Sequence, residues 1–225
     1  MKTDNCPELI VMLTKNDRTI KNACEIFEQC KDSKAKFWGF KEKGISHRQM
    51  KDLFSYMKKC GKTTVLEVVA YSEKECIAGA LTAADCGCDI LMGTVYYESV
   101  HNILKEHSIK YIPFVGKVSQ RPSILEGTVE EIIDEASNLS QKGVYGFDLL
   151  GYRYTEDIDE LISVFVSRTA LPVCVAGSVD SHEKLDLIKK VSPWSFTIGG
   201  AFFDHCFGEC VKEQIDNVID YINSK

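Results

Sequence analysis

Short apolar runs of β character alternate with helical patterns along the whole chain, and this alternation restricts the fold more than any other feature. The runs are Leu9–Leu13, Phe37–Lys41, Thr64–Val69, Asp89–Gly93, Tyr111–Gly116, Val144–Leu150, Val173–Ala176 and Phe196–Ile198. Their starts lie roughly 27 residues apart, the spacing of a strand, a crossover helix and the next parallel strand. Most runs are apolar at consecutive positions, which suits strands covered on both faces. The segments between them carry helical stripes: Met50, Leu53, Phe54 and Met57; Val129, Ile132, Ile133, Ala136 and Leu139; Ile158, Leu161, Ile162, Phe165 and Val166; Val211, Ile215, Val218, Ile219 and Ile222. Helices are also expected over Thr19–Cys30 and near Glu98–His107. Capping boxes are expected at Ser72/Glu75, Thr128/Glu131 and Asp180/Glu183. Eight such units predict one closed (β/α)₈ barrel over residues 1–225, with eight parallel strands inside a ring of helices.

A chain of 225 residues with 44% hydrophobic content can bury a barrel-sized core. No low-complexity stretch or charge block divides it. A net charge of -6 argues against a general nucleic-acid or anionic-membrane binder. No apolar run approaches the ~20 residues that span a bilayer, and the first residues lack the apolar core of a signal peptide. The expectation is a soluble, cytoplasmic protein, with a homodimer compatible with the reading. Ten cysteines spread through helical patterns read as reduced thiols. Cys206 and Cys210 beside His205 are the nearest approach to a metal-ligand cluster, and core or surface thiols are the preferred reading, so no metal is assigned.

The stretch from Val173 to Asp204 carries the binding signal. Two successive strands end in glycine turns, Gly177-Ser178 and Gly199-Gly200. Without Cβ atoms, such turns let an anion approach main-chain N–H groups. Ala201–Asp204 reads as a helical turn whose positive end faces the same spot. In a (β/α)₈ barrel, phosphate sits in the loops after strands seven and eight. Gly177, Ser178, Gly199 and Gly200 are therefore read as a phosphate cup. The alternative is two ordinary glycine-closed strand ends.

Polar residues inside apolar strands point to chemistry, because an unpaired buried charge is costly. Glu67 alternates onto the face of Val65 and Val69, the expected barrel interior. Asp148 sits in Gly-Phe-Asp-Leu-Leu, and Lys41 and Lys117 read as the ends of strands two and five. A carboxylate with an ammonium group near it can remove a proton next to a carbonyl and stabilise the resulting oxyanion. Glu67 is the expected base, Lys41 or Lys117 the partner of the oxygen, and Asp148 a second acid/base or an orienting group. The alternative is an interior salt-bridge network without chemistry. Arg121 and Arg153, in loops after strands five and six, are expected to bind an anionic substrate on a cationic top face. The long connection Lys117–Gly127 is a lid candidate.

With these units counted, the chain resembles the ribulose-phosphate-binding group of barrels, on Ala176-Gly177-Ser178 and Thr197-Ile-Gly-Gly-Ala-Phe. Two segments are similar to N-acetylmannosamine-6-phosphate 2-epimerases: Trp38-Gly-Phe-Lys-Glu-Lys-Gly44 and Gly146-Phe-Asp-Leu-Leu-Gly-Tyr152. The third strand departs from that family, reading Val-Leu-Glu-Val-Val where the epimerases carry a catalytic lysine. Schiff-base aldolases place a lysine on strand six, where this chain has Asp148. Metal-dependent pentose-phosphate epimerases use strand-end histidines, whereas His47, His101, His107, His182 and His205 fall in helices or late loops. The resemblance implies a small phosphorylated sugar or related metabolite as ligand, and metal-independent proton transfer next to a carbonyl, of isomerase or epimerase type. Lyase chemistry on a similar substrate, or a phosphometabolite sensor without turnover, are the alternatives. No Gly-x-Gly-x-x-Gly fingerprint is present, so no nicotinamide cofactor is expected.

Overall fold

The computed structural model describes residues 6–224; most of the opening Met1–Glu8 segment, expected to lack the apolar core of a signal peptide, lies outside them. Eight strands, β1 (Glu8–Met12), β2 (Phe37–Lys41), β3 (Thr63–Val68), β4 (Ile90–Gly93), β5 (Lys110–Ile112), β6 (Phe147–Leu149), β7 (Val173–Val175) and β8 (Ser195–Ile198), form one sheet. Its order is β6-β7-β8-β1-β2-β3-β4-β5, with every neighbouring pair parallel. The ring closes between β5 and β6 through a parallel bridge from Phe114 to Asp148. The Asp148 amide donates to the Pro113 carbonyl at 2.9 Å, and the Tyr145 amide donates to the Tyr111 carbonyl at 2.9 Å. The architecture is thus a (β/α)₈ barrel.

The helices follow the strands in turn: α1 (Ala23–Cys30), α2 (His47–Lys59), α3 (Glu73–Cys86), α4 (Glu98–Glu106), α5 (Val129–Gln141), α6 (Ile158–Arg168), α7 (His182–Val191) and α8 (Val211–Asn223). Each turns an apolar stripe inward. Met50, Leu53, Phe54 and Met57 of α2 and Leu161, Ile162, Phe165 and Val166 of α6 are all buried. The strands are apolar on both faces because they separate two cores. Ile10, Met12, Val65, Ile90, Met92, Ile112 and Cys174 fill the barrel. Leu9, Val11, Leu66 and Leu91 pack outward under the helices. The interior is tight at Gly39, where a Cβ would fall 2.6 Å from the Val65 carbonyl and 2.9 Å from the Met12 sulfur. Gly39→Ala is expected to destabilise the barrel by roughly 1–2 kcal/mol, read as a lower urea midpoint at unchanged slope.

Four local expectations change. The first helix starts at Ala23 rather than Thr19, because Thr14–Lys15 and Arg18–Thr19 pair as a small antiparallel hairpin. Its turn residues Asn16 and Asp17 adopt left-handed conformations with φ of 51° and 60°. Helix α7 is capped by Ser181, not Asp180: the Ser181 hydroxyl accepts from the Lys184 amide, and Asp180 pairs with the Lys184 ammonium at 2.8 Å. Strand five ends at Ile112, since Pro113 has no N–H to continue the ladder. The connection after it folds into a second antiparallel hairpin, Lys117–Ser119 with Ile124–Glu126. All ten cysteines are free thiols. Among the described residues, no helix is long and apolar enough to cross a membrane.

Candidate active site

A cavity of about 660 Å³ opens at the carboxyl ends of the strands, within the range of small-molecule sites. One side of it is formed by the turns after β7 and β8. Gly177, Ser178, Gly199 and Gly200 all line it, with Arg153 beside them. Gly177 has φ of 107°, and a Cβ there would meet the Arg153 side chain at 2.8 Å. Gly199 brings its turn against the start of the chain, since a Cβ would lie 2.6 Å from Thr14 Oγ1. Among the described residues, no protein acceptor takes the N–H of Gly177, Ser178 or Gly199. Gly200–Phe203 forms one helical turn, as expected. Arg153, in the 3₁₀ turn Gly151–Arg153, donates to Ser178 Oγ at 3.0 Å.

Lys41 at the end of β2 and Glu67 near the end of β3 form the opposite side. Their register places them side by side, with Lys41 Nζ 3.1 Å from Glu67 Oε1. Lys41 is also hydrogen-bonded to Asp17 from the turn of the first hairpin. Burial alone would lower the Lys41 pKa; the Glu67 and Asp17 carboxylates outweigh it and raise it above the ordinary lysine value. The ammonium is therefore charged throughout the neutral range. Arg121 stands at the tip of the second hairpin. Its guanidinium lies 3.3 Å from Asp17 Oδ2 and donates to the Val69 carbonyl. Tyr71 donates to the Gln120 carbonyl at 2.7 Å and lies 2.7 Å from the Ser123 hydroxyl. The lid candidate is thus an ordered flap pinned to the rim.

The top face is not net cationic as expected. Lys15, Lys41, Arg121 and Arg153 share the lining with Asp17, Glu67, Asp180 and Asp204. Lys15 pairs with Asp204 at 2.5 Å. Among the described residues, Arg153 is the one lining cation with no carboxylate within 4.0 Å. It is free to meet an anion at the glycine turns.

Asp148 and Lys117 are not on the cavity wall. Lys117 belongs to the second hairpin rather than to β5; its side chain is 76% exposed and lies 3.9 Å from Glu126. Asp148 does face the barrel interior, but it is sealed at 0% exposure, with neither carboxyl oxygen hydrogen-bonded. In register it neighbours Cys174 of β7, which neighbours Ser195 of β8, whose hydroxyl is also unpartnered. Burial, then the charge of Glu67, pushes the Asp148 pKa well above the ordinary carboxylate value; the Lys41 charge opposes this without reversing it. Cys174 is buried, and desolvation holds its thiol well above the usual range. Asp17 is the functional-type residue that periodicity missed. Its signal was the Asn16-Asp17 turn pair.

No family model and no curated protein sequence matches this chain. Solved structures share its architecture. An orotidine 5'-phosphate decarboxylase from Pyrococcus horikoshii OT3 superposes with a TM-score of 0.73 at 15% identity, over 96% of this chain and all of that one. The tryptophan synthase alpha chain from Legionella pneumophila subsp. pneumophila gives 0.68 at 11% identity, over 97% and 92% of the two chains. N-(5'-phosphoribosyl)anthranilate isomerase from Pyrococcus furiosus gives 0.67 at 12% identity, over 95% and 99%. The fold they share with this chain is the (β/α)₈ barrel. None of these three is an N-acetylmannosamine-6-phosphate 2-epimerase, so that likeness rests on the β2 and β6 segments alone.

Proposed function

We propose that this barrel is an enzyme acting on a small phosphorylated sugar or a related metabolite, by proton transfer next to a carbonyl. One observation carries the reading: a single cavity holds the Gly177-Ser178 and Gly199-Gly200 turns with an uncompensated Arg153 on one side, and the Lys41–Glu67 pair on the other. The named activities of the structural neighbours, decarboxylase and isomerase on phosphate esters among them, accord with it.

The phosphate end of the ligand would sit at the turns and Arg153. The Glu67 carboxylate would take the proton from the carbon beside the carbonyl. The electron pair left behind moves onto the carbonyl oxygen, where the Lys41 ammonium stabilises the developing negative charge. A proton delivered by water to the opposite face would epimerise, with Glu67 giving its proton back to solvent; Glu67 returning the proton to the former carbonyl carbon, while the neighbouring hydroxyl passes its proton to the oxyanion, would isomerise. The same stabilised enolate serves carbon–carbon cleavage, the lyase alternative.

A second reading, a phosphometabolite sensor without turnover, is favoured by one feature. Lys41 is already satisfied by two carboxylates, Asp17 and Glu67, as in a structural ion-pair network. A thermal-shift panel of phosphorylated sugars and their unphosphorylated counterparts tests ligand class. A true ligand at a hundred times its dissociation constant stabilises by about 2.7 kcal/mol. Arg153→Ala is expected to weaken the selected ligand about tenfold or more, the loss of one charge-assisted hydrogen bond. A ligand indifferent to that change would remove the turns and Arg153 as its anchor. Binding without turnover of any panel member would favour the sensor.

A further inference from the structure

Away from the cavity, three side chains of metal-ligand type meet where the first turn of α2 approaches the last turn of α3. His47 Nε2 lies 3.4 Å from Asp85 Oδ2 and 3.7 Å from the Cys86 sulfur. All three donor atoms fall within 4.8 Å of one another. We propose that His47, Asp85 and Cys86 form a binding site for one divalent transition-metal ion, zinc above all.

The spacing is that of a coordination shell. A tetrahedral zinc ion with bonds of about 2.0–2.3 Å holds its donors about 3.3–3.8 Å apart. The two closest separations already fall in that interval, and the Asp85 carboxylate, on an exposed side chain, can turn to complete it. One imidazole, one thiolate and one carboxylate suit an ion of borderline softness; the thiolate and imidazole argue against calcium and magnesium. The backbone beneath is well fixed. His47 is the first helical residue of α2, held by the reciprocal cap between Ser46 and Gln49. Asp85 and Cys86 are consecutive in α3, which ends at Gly87 in a left-handed conformation.

The His47 and Asp85 side chains are half exposed, at 51% and 56%, while Cys86 forms a buried floor. The fourth position is therefore open to water or to an added ligand. Lys51 Nζ lies 3.5 Å from Asp85 and is the group the ion must displace. On binding, the Cys86 sulfur releases its proton to solvent and forms the sulfur–metal bond. The His47 imidazole and the Asp85 carboxylate contribute lone pairs, and no oxidation state changes. The ion would clip together the helices that follow the strands bearing Lys41 and Glu67. This proposal is independent of the function assigned to the cavity.

Cobalt(II) titration of the full chain tests it. One equivalent is expected to produce the visible bands of four-coordinate cobalt together with a thiolate-to-cobalt charge-transfer band, both abolished by zinc. His47→Ala and Cys86→Ser are each expected to weaken binding at least tenfold. Cys206→Ser, an exposed thiol elsewhere, is expected to leave it unchanged. His47 is exposed, so His47→Ala leaves the core intact and its affinity reads the site rather than the fold. Absence of the thiolate band in the parent protein, or its persistence at full affinity in either ligand variant, overturns the proposal.

Discussion

Glu67→Gln is expected to lower kcat on the phosphosugar selected by the thermal-shift panel by about 10²–10⁴-fold, the usual contribution of a positioned general base. Affinity for the same ligand is expected to stay within a few-fold. The amide has the size of the carboxylate, and its carbonyl oxygen still accepts from Lys41. Asp17 continues to hold the ammonium from the other side. Only the capacity to take a proton disappears. Steady-state kinetics paired with calorimetric binding separates the outcomes. Full turnover in the variant would dismiss Glu67 as the base. Joint loss of binding and turnover, with a lowered melting temperature, would mark the residue as a strut between β2 and β3.

Asp148→Asn is expected to stabilise the protein by about 1–3 kcal/mol at pH 8, with the gain fading as the pH falls toward 4. The sign follows from the direction of the pKa. Burial first, and the Glu67 charge second, raise the folded-state value above the unfolded one, which is close to ~3.9. Between those two values the folded chain binds more protons than the unfolded chain, so stability falls as pH rises through the window. An asparagine has no such proton to lose. Its pH–stability curve should be flatter, and the two curves should converge in acid. Urea unfolding at a series of pH values measures this. A gap of equal size at every pH would show that side-chain shape, rather than ionisation, sets the cost of Asp148.

The eight repeated units were legible because they rest on local information. Strand runs such as Leu9–Leu13 and stripes such as Met50, Leu53, Phe54 and Met57 announce their faces through neighbours in sequence. Glu67 and Lys41 were legible for the same reason: alternation places Glu67 inward, and parallel pairing of β2 with β3 then sets Lys41 beside it. Other features depend on contacts far along the chain. Asp17 gains its place by reaching Lys41 and Arg121, which nothing near residue 17 encodes. Lys117 read as a strand end, yet it pairs with Glu126 in a hairpin of its own. The alternation of Val118 and Leu125 around the Arg121-Pro122 turn was the available sign. Asp180 and Ser181 are both capping types, and their order was decided by Lys184, which bonds to each. The buried isolation of Asp148 depends on what β7 and β8 place around it, which the β6 segment alone does not reveal.

The ladder between β1 and β8, running from Glu8 opposite Ser195 to Val11 opposite Ile198, has a consequence for how the two sides of the cavity communicate. The glycine turns and Arg153 come from the last third of the polypeptide, and Lys41 and Glu67 from its first third. The first and last thirds of the chain share this ladder, and Thr14 touches Gly199 just above it. A change that spreads the ladder would lengthen the gap between anchor and reacting groups while leaving the composition of each intact. Reach, rather than reactivity, is what that contact governs.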